Sequence, residues 1–422
     1  MPTEKIRPPS RQSLRALDAL NVLLADVRDG VGPYLAIYLL TAQQWDPASV
    51  GVAMSAMGIS SVLAQTPCGM LIDALKQKRL LIALAALFVG AGCAALTRVS
   101  TFDFVIAVQA LNGVAAAIFP PAVAAITLGL VGPKRFAVRT GRNEAFNHAG
   151  NVGAAALAGA AGHFLGLQWI FFLVSGIAVA SVISVWFIRE EDIDHDLARG
   201  AVPHVSPEQG DGQAGLFSGF RALLHNRILL IFALSTTLFH FANAAMLPLA
   251  GQLLSRHDEA GAPLYMTACI IAAQIVMIPV AAAAGILAER WGRKPVLCIG
   301  FAALPIRGFL YTLSDDSWFI VVVQLLDGIG AGVLGVLWVT VVADLTQGSG
   351  NYNLALGAIA TAQGIGAAFS HLTAGYVVNG WGYQTGFVVL AVIAGFALAL
   401  LLRAMPETGW SHEMEDTRLA EA

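Results

Sequence analysis

Asp26, Arg28 and Asp29 lie inside an apolar run from Leu17 to Leu40. A charge at the centre of a membrane helix costs about 2.5–3.5 kcal/mol on insertion scales, so such residues persist only where they face protein or water. At 100° per residue, Asp26 and Asp29 share one face, and Arg28 points about 100–160° away from them. Arg28 therefore needs an acid on another helix, and Asp327 and Glu144 are the candidates. One arginine against Asp26, Asp29, Glu144 and Asp327 leaves surplus acid. Desolvation favours the neutral form of that surplus, which suits a proton carrier better than a static lock.

The stretch RNEAFNHAGNVG carries a second polar set. Asn143, Asn147 and Asn151 recur every fourth residue and form one stripe, with Glu144 and His148 beside it as an i, i+4 pair. Such a stripe can hydrogen-bond a hydroxylated or amide-bearing solute, or it can glue one membrane helix to the next. His240 and Asn243 stand in FHFANAAMLPLAG, and Gln109, Asn112 and Gln324 interrupt two further apolar runs. A histidine in this setting can relay a proton, bind a solute or, with carboxylates, hold a divalent metal; the plainest role is a structural hydrogen bond. No nucleophile and base stand at enzyme-like spacing, and no G-x-x-x-x-G-K-[ST] loop for ATP occurs. The chain reads as neither an enzyme nor an ATP-driven pump, needs no cofactor, and has a proton gradient as its energy source.

The elements that hold these residues are membrane helices. Of 422 residues, 57% are hydrophobic and 12% charged, where a soluble domain carries about 25% charged residues. Apolar stretches long enough to cross a bilayer fall at 14–40, 48–72, 79–98, 102–131, 140–164, 167–188, 227–254, 264–288, 294–313, 317–345, 352–378 and 384–403. This predicts an all-α membrane protein of twelve spans. With the amino terminus inside, all 24 Lys and Arg except Arg28, Arg98, Arg256 and Arg307 fall in inside loops and tails. Both termini are therefore expected in the cytoplasm of a multi-pass inner-membrane protein. Arg307 reads as a packing or snorkelling residue. Cys68, Cys93, Cys269 and Cys298 lack CxxC spacing and read as small apolar residues. A net charge of -3 gives no surface for nucleic acid.

The acidic, Pro- and Gly-rich stretch after residue 188 reads as a flexible tether ending in a short amphipathic helix, GLFSGFRALLHNR. The expected domains are 1–188, a linker over 189–226, a second bundle over 227–403 and a tail over 404–422. The halves repeat. GMLIDALKQKRLL at Gly69 answers GILAERWGRKPVL at Gly285, VQALNGVAAA at Val108 answers VQLLDGIGAG at Val323, and Pro33 answers Pro248. The offset is 215 or 216 residues throughout. Parallel six-helix repeats around a central cavity are a transporter architecture.

On these residues the chain resembles the major facilitator superfamily, whose signature between spans 2 and 3 is G-x-x-x-D-R-x-G-R-[KR]. Gly285, Glu289, Arg290, Gly292, Arg293 and Lys294 fit it with Glu for Asp; in the first half Gly69, Asp73 and Lys78 fit, with Lys76 and Gln77 departing. The resemblance implies that Arg293 pairs with an acid at the end of span 10, where Asp344 stands. Gly129 is the repeat equivalent of Asp344, so the first half lacks both partners. Asp73 and Glu289 are expected to latch helix N-termini as a conformational gate. The family's R-x-x-Q-G motif of span 4 and Gly-Pro motif of span 5 are absent, with Gln109 in place of that Arg. The resemblance further implies that spans 1, 4, 7 and 10 line the cavity. The expected protein is a monomeric secondary transporter that works by alternating access in the lipid bilayer. It carries a small organic solute outward against protons. Proton-coupled import of a metabolite, or export of a divalent metal through Asp26 and His240, are the alternatives.

Overall fold

A computed structural model describes residues 9–28, 31–199, 225–347 and 352–408. Asp29, most of the amphipathic stretch after residue 214 and the carboxyl-terminal tail beyond residue 408 fall outside those residues. The described chain is helical: α1 (Arg11–Val27), α2 (Pro33–Thr41), α3 (Pro47–Ala74), α4 (Lys78–Leu96), α5 (Phe102–Ala116), α6 (Phe119–Val131), α7 (Pro133–Phe164), α8 (Gln168–Trp186), α9 (Arg227–Ala244), α10 (Met246–His257), α11 (Ala262–Trp291), α12 (Arg293–Leu310), α13 (Ser317–Val323), α14 (Leu325–Thr346) and α15 (Tyr352–Ala404). Every expected span has its counterpart. Span 5 starts earlier and span 8 ends later than their apolar cores, because the helices run on through charged residues, Arg139 in the one and Glu289 and Arg290 in the other.

Among the described residues, four spans are broken in the middle, and they are spans 1, 4, 7 and 10. In span 1 the break is at Gly32, whose φ of 53° and ψ of -136° a side chain would resist. In span 4, Pro120 and Pro121 bring no N–H to the carbonyls one turn earlier, and the chain re-forms as α6. Pro248 does the same in span 7. There the N–H of Ala245 donates to the Ser370 hydroxyl at 3.0 Å, so this donor at the interruption is satisfied. Span 10 breaks at Gln324 without a proline. Spans 11 and 12 run together as α15 and turn at Gly382, with φ 84°.

The chain divides into two compact units: Met1–Trp45 with Ala56–Ser206 and Ala260–Thr267, and Asp46–Ser55 with Pro207–Glu259 and Ala268–Ala422. In the first, α1 lies directly on α7. A methyl group at Gly150 would collide with the Val22 carbonyl, whereas one at Gly153 meets nothing within 4 Å. The Thr267 hydroxyl donates to the Ala155 carbonyl at 2.7 Å and takes the Tyr34 hydroxyl, also at 2.7 Å. In the second unit, α9 packs on α15, where Thr237 abuts Gly366. The Tyr383 hydroxyl reaches Gln252 at 3.1 Å.

The start of the polar connection after α8 is not a loose tether. Residues Glu190–Asp192 and Leu197–Arg199 form single 3-10 turns. Asp192 accepts hydrogen bonds from the Ser10 amide at 3.1 Å and from the hydroxyls of Ser10 and Ser13, the latter at 2.6 Å. The Asp194 amide donates to the Gly129 carbonyl at 3.0 Å. The segment therefore caps α1 and packs under α6.

Candidate functional site

The first unit holds a cavity of about 140 Å³ between α1, α6 and α7. Asn21, Leu24 and Arg28 line it from α1; Phe119, Pro120, Val123, Ala124 and Thr127 from α6; Thr140, Asn143, Glu144 and Asn147 from α7. Asn21 and Arg28 are seven residues apart and so share a face of α1. Arg28 caps the broken end of that helix and is exposed to the cavity, as Glu144 is. Glu144 accepts a hydrogen bond from the Asn147 amide at 3.3 Å.

One wall of the cavity is held by a chain of hydrogen bonds. Arg139 Nε donates to Asn143 Oδ1 at 3.0 Å, Asn143 Nδ2 donates to Thr127 Oγ1 at 2.9 Å, and Thr127 donates to the Val123 carbonyl at 2.7 Å. Arg139 is itself buried and paired with Asp18 at 2.6 Å; Arg142 grips the same carboxylate at 2.8 Å. Asp18 is thus shared by two guanidinium groups, and each of its oxygens is satisfied.

The asparagine stripe is divided. Asn143 and Asn147 face the cavity, but Asn151 and His148 do not line it, and His148 Nδ1 is buried without a hydrogen-bond partner. Gln109 and Asn112 also stay outside the cavity. Both are buried: Gln109 reaches the Met57 sulfur of α3 at 4.0 Å, and Asn112 packs against Gly92 of α4. In span 4 the cavity is lined instead by the half after the break. Asp26 is half-buried on α1. Sequence reasoning passes over Asn21, Thr127 and Thr140; Asn21 could have been found from its seven-residue spacing to Arg28.

The second unit carries a separate polar cluster. Arg307, 1% exposed, pairs with Asp327 and donates to Asn243 Oδ1 at 2.6 Å. Gln324 Nε2 donates to the other Asp327 oxygen at 3.0 Å, and Tyr311 donates to Gln324 Oε1. Of the two readings of Arg307, its burial removes snorkelling and leaves packing, and the counter-ion of Asp327 is Arg307 from the preceding span rather than Arg28. His240, nearby on α9, has its Nδ1 2.9 Å from the Thr236 carbonyl of its own helix. Among the described residues, no three His, Cys, Asp or Glu side chains converge as a metal site.

The loop motifs show a different physical balance in each half. Arg293 Nε donates to Asp344 at 3.3 Å, and Gly292, at φ 94°, makes the turn between α11 and α12. Glu407, which sequence reasoning passes over, accepts from the backbone amides of Arg293 and Lys294 at 2.6 and 3.1 Å and so caps the N-terminus of α12. Gly69 and Gly285 have open space around them. Asp73, Glu289 and Arg290 are exposed. In the first half Lys78 is buried and bonds back to the Leu75 carbonyl at 3.0 Å. Arg79 supplies the ion pair there, with Glu190 from the linker, and lies over the Trp186 ring at 5.3 Å.

The pattern of the Major Facilitator Superfamily matches residues 19–284 and 266–418. An uncharacterised MFS-type transporter of Mycobacterium tuberculosis is 50% identical over 399 residues, 93% of each chain. Sugar efflux transporter A of Dickeya chrysanthemi is 32% identical over 124 residues, 29% of this chain and 31% of that one. A crystal structure of the nucleoside transporter NupG, in a mutant form, superposes with a TM-score of 0.77 at 15% identity, covering 92% of this chain and 98% of that one. The fold is therefore the twelve-helix transporter fold, and the protein is a multi-pass membrane transporter and not an enzyme. The chain belongs to the major facilitator superfamily.

Proposed function

We propose that the protein exports a small hydroxylated or amide-bearing solute in exchange for protons, with the α1–α6–α7 cavity as part of its binding site. The observation that carries this reading is the lining of that cavity. Arg28 and Glu144 bring one charge of each sign, and Asn21, Asn143, Asn147, Thr127 and Thr140 bring amides and hydroxyls. The solutes named for the sugar efflux transporter and the nucleoside transporter are both hydroxylated, which fits the same lining.

For coupling, Glu144 is the proton carrier we favour, with Asp26 of α1 as the second candidate acid of the first unit. Asp327 has its counter-ion in Arg307, so the surplus acid falls to the first unit. Protonation of Glu144 removes its attraction to Arg28 and lets the solute take its place; deprotonation restores it. Asp73, Glu289 and the Arg293–Asp344 pair serve the gate. The carrier works as a monomer with both termini in the cytoplasm.

Everted vesicles with an acidified lumen test this, with a hexose and a nucleoside as first probes. Solute-dependent alkalinisation of the lumen is the expected result. Acidification on solute entry, or transport insensitive to collapse of the proton gradient, would overturn exchange.

A further inference from the structure

A second cavity of the first unit, about 550 Å³, opens on the outer face of α1 and α8, away from the polar cavity. Its floor is made of Ala16 and Ala19 from α1 and Ala180 from α8, and Ile183 and Phe187 form its walls. These short side chains leave a furrow between two helices that otherwise pack closely. The floor exposes no unsatisfied polar atom, since the Ser184 hydroxyl donates to the Ala16 carbonyl at 3.0 Å. Ile183 and Phe187 are 55% and 56% exposed.

One end of the furrow is charged. Arg15 lines it, is exposed, and has no ion pair among the described residues. Gln12 lines it too, and its side-chain oxygen holds Arg189, which lies just beyond the lining, by two hydrogen bonds of 3.0 and 3.2 Å; Arg189 also pairs with the exposed Glu191 at 3.7 Å, so Arg15 is the cation left to a ligand. Gln12 also donates to the Phe187 carbonyl at 3.3 Å, which sets the charged end level with the end of α8. From Gln12 to Ala19 the helix rises about 10 Å, so the apolar floor runs that far into the membrane from the charged end.

We propose that this furrow binds one anionic phospholipid, with an acyl chain along the alanine floor and the phosphate against Arg15. The arrangement is complementary to an amphiphile with a negative head and matches neither a free phosphate nor a neutral lipid. A second copy docked by a two-fold axis along the membrane normal would bring its own Arg15 to the same depth and supply no acid at that end from the same patch. With both termini in the cytoplasm, the head lies at the inner leaflet, where a basic residue near the surface contributes about fivefold to binding anionic lipid.

The test uses the full chain, purified in detergent and stripped of lipid. Native mass spectrometry then follows retention of phosphatidylglycerol against phosphatidylcholine of identical chains, with inorganic phosphate as a separate probe. One phosphatidylglycerol per protein should be retained in preference. Arg15→Gln should lower that preference about fivefold, and Ala19→Trp should abolish retention by filling the floor. If Ala19→Trp does not fold, Ala180→Leu fills the same floor. Arg98→Gln, remote from the furrow, should change nothing. Equal retention of the two lipids, equal binding of phosphate alone, a dimer in place of a lipid adduct, or unchanged retention in Arg15→Gln would each overturn the proposal.

Discussion

Removing the Asp327 carboxylate should cost the protein far more than removing both charges of its pair together. Arg307 is 1% exposed, and its guanidinium is held by Asp327 and Asn243; its Nε has no hydrogen-bond partner. Asp327→Ala leaves a buried cation with one neutral acceptor, a situation that costs about 3–5 kcal/mol. The Asp327 side chain is 20% exposed, so water can reach the vacated space and the lower end of that range is expected. Asp327→Asn keeps an acceptor and should cost about half as much, as a neutral hydrogen bond is roughly half as strong as a charged one. The double variant Arg307→Met, Asp327→Leu removes both desolvation penalties and should recover most of the loss. The assay is a double-mutant cycle on protein in detergent, with unfolding followed by tryptophan fluorescence as denaturant is raised. A coupling of about 2 kcal/mol or more is expected between the two sites. Additive losses, or Asp327→Ala costing less than about 1 kcal/mol, would refute the reading of a mutually dependent buried pair.

Glu144→Gln mimics the protonated carboxyl, so uphill, gradient-driven transport should be lost while solute exchange down its own gradient continues; vesicle counterflow distinguishes the two. Gly150→Ala forces a methyl against the Val22 carbonyl and should cost about 1–3 kcal/mol, whereas Gly153→Ala has open space and should be neutral or gain up to about 1 kcal/mol from helix propensity. Thermal midpoints of the two variants check this, and equal effects would deny the close α1–α7 contact. Burial pushes the Asp192 carboxyl up, but hydrogen bonds from Ser10 and Ser13 and the nearby Arg189 charge outweigh it and hold the group below 3.8. Its folded value is depressed, so its contribution is present above pH 3.8 and fades as pH falls through the lower, folded value. The gap in thermal midpoint between wild type and Asp192→Asn should therefore be widest near neutrality and close only below pH 3.8; a gap that closes above about pH 5 would contradict it.

The elements were largely legible in the chain because bilayer thickness leaves few choices for a run of apolar residues. Pro33 and Pro248, repeat partners in the sequence, stand at the level at which spans 1 and 7 break. What periodicity does not carry is which flank of a span faces a neighbouring helix. Gln109 and Asn112 are polar residues of span 4, yet they face α3 and α4, and Thr127 after the break takes the cavity side. Arg307 was within reach of the argument applied to Arg28, that a buried guanidinium needs an acid. Its acid stands 20 residues on, across the α12–α13 turn. The Arg139–Asn143–Thr127 chain was not, since it joins three turns of two helices through side-chain geometry alone.

That chain also bears on how the cavity discriminates between solutes. Asn143 cannot flip, because its oxygen is turned to Arg139 and its nitrogen to Thr127. The wall therefore meets a solute with its rotamer already fixed, and little side-chain freedom is lost on binding. A solute whose donors and acceptors match gains the contacts almost undiluted, and one with them reversed finds no way to adapt the wall. Asn143→Ser would leave Arg139 and Thr127 without their shared link. The expected sign is a transporter that accepts more kinds of solute and holds each of them less tightly.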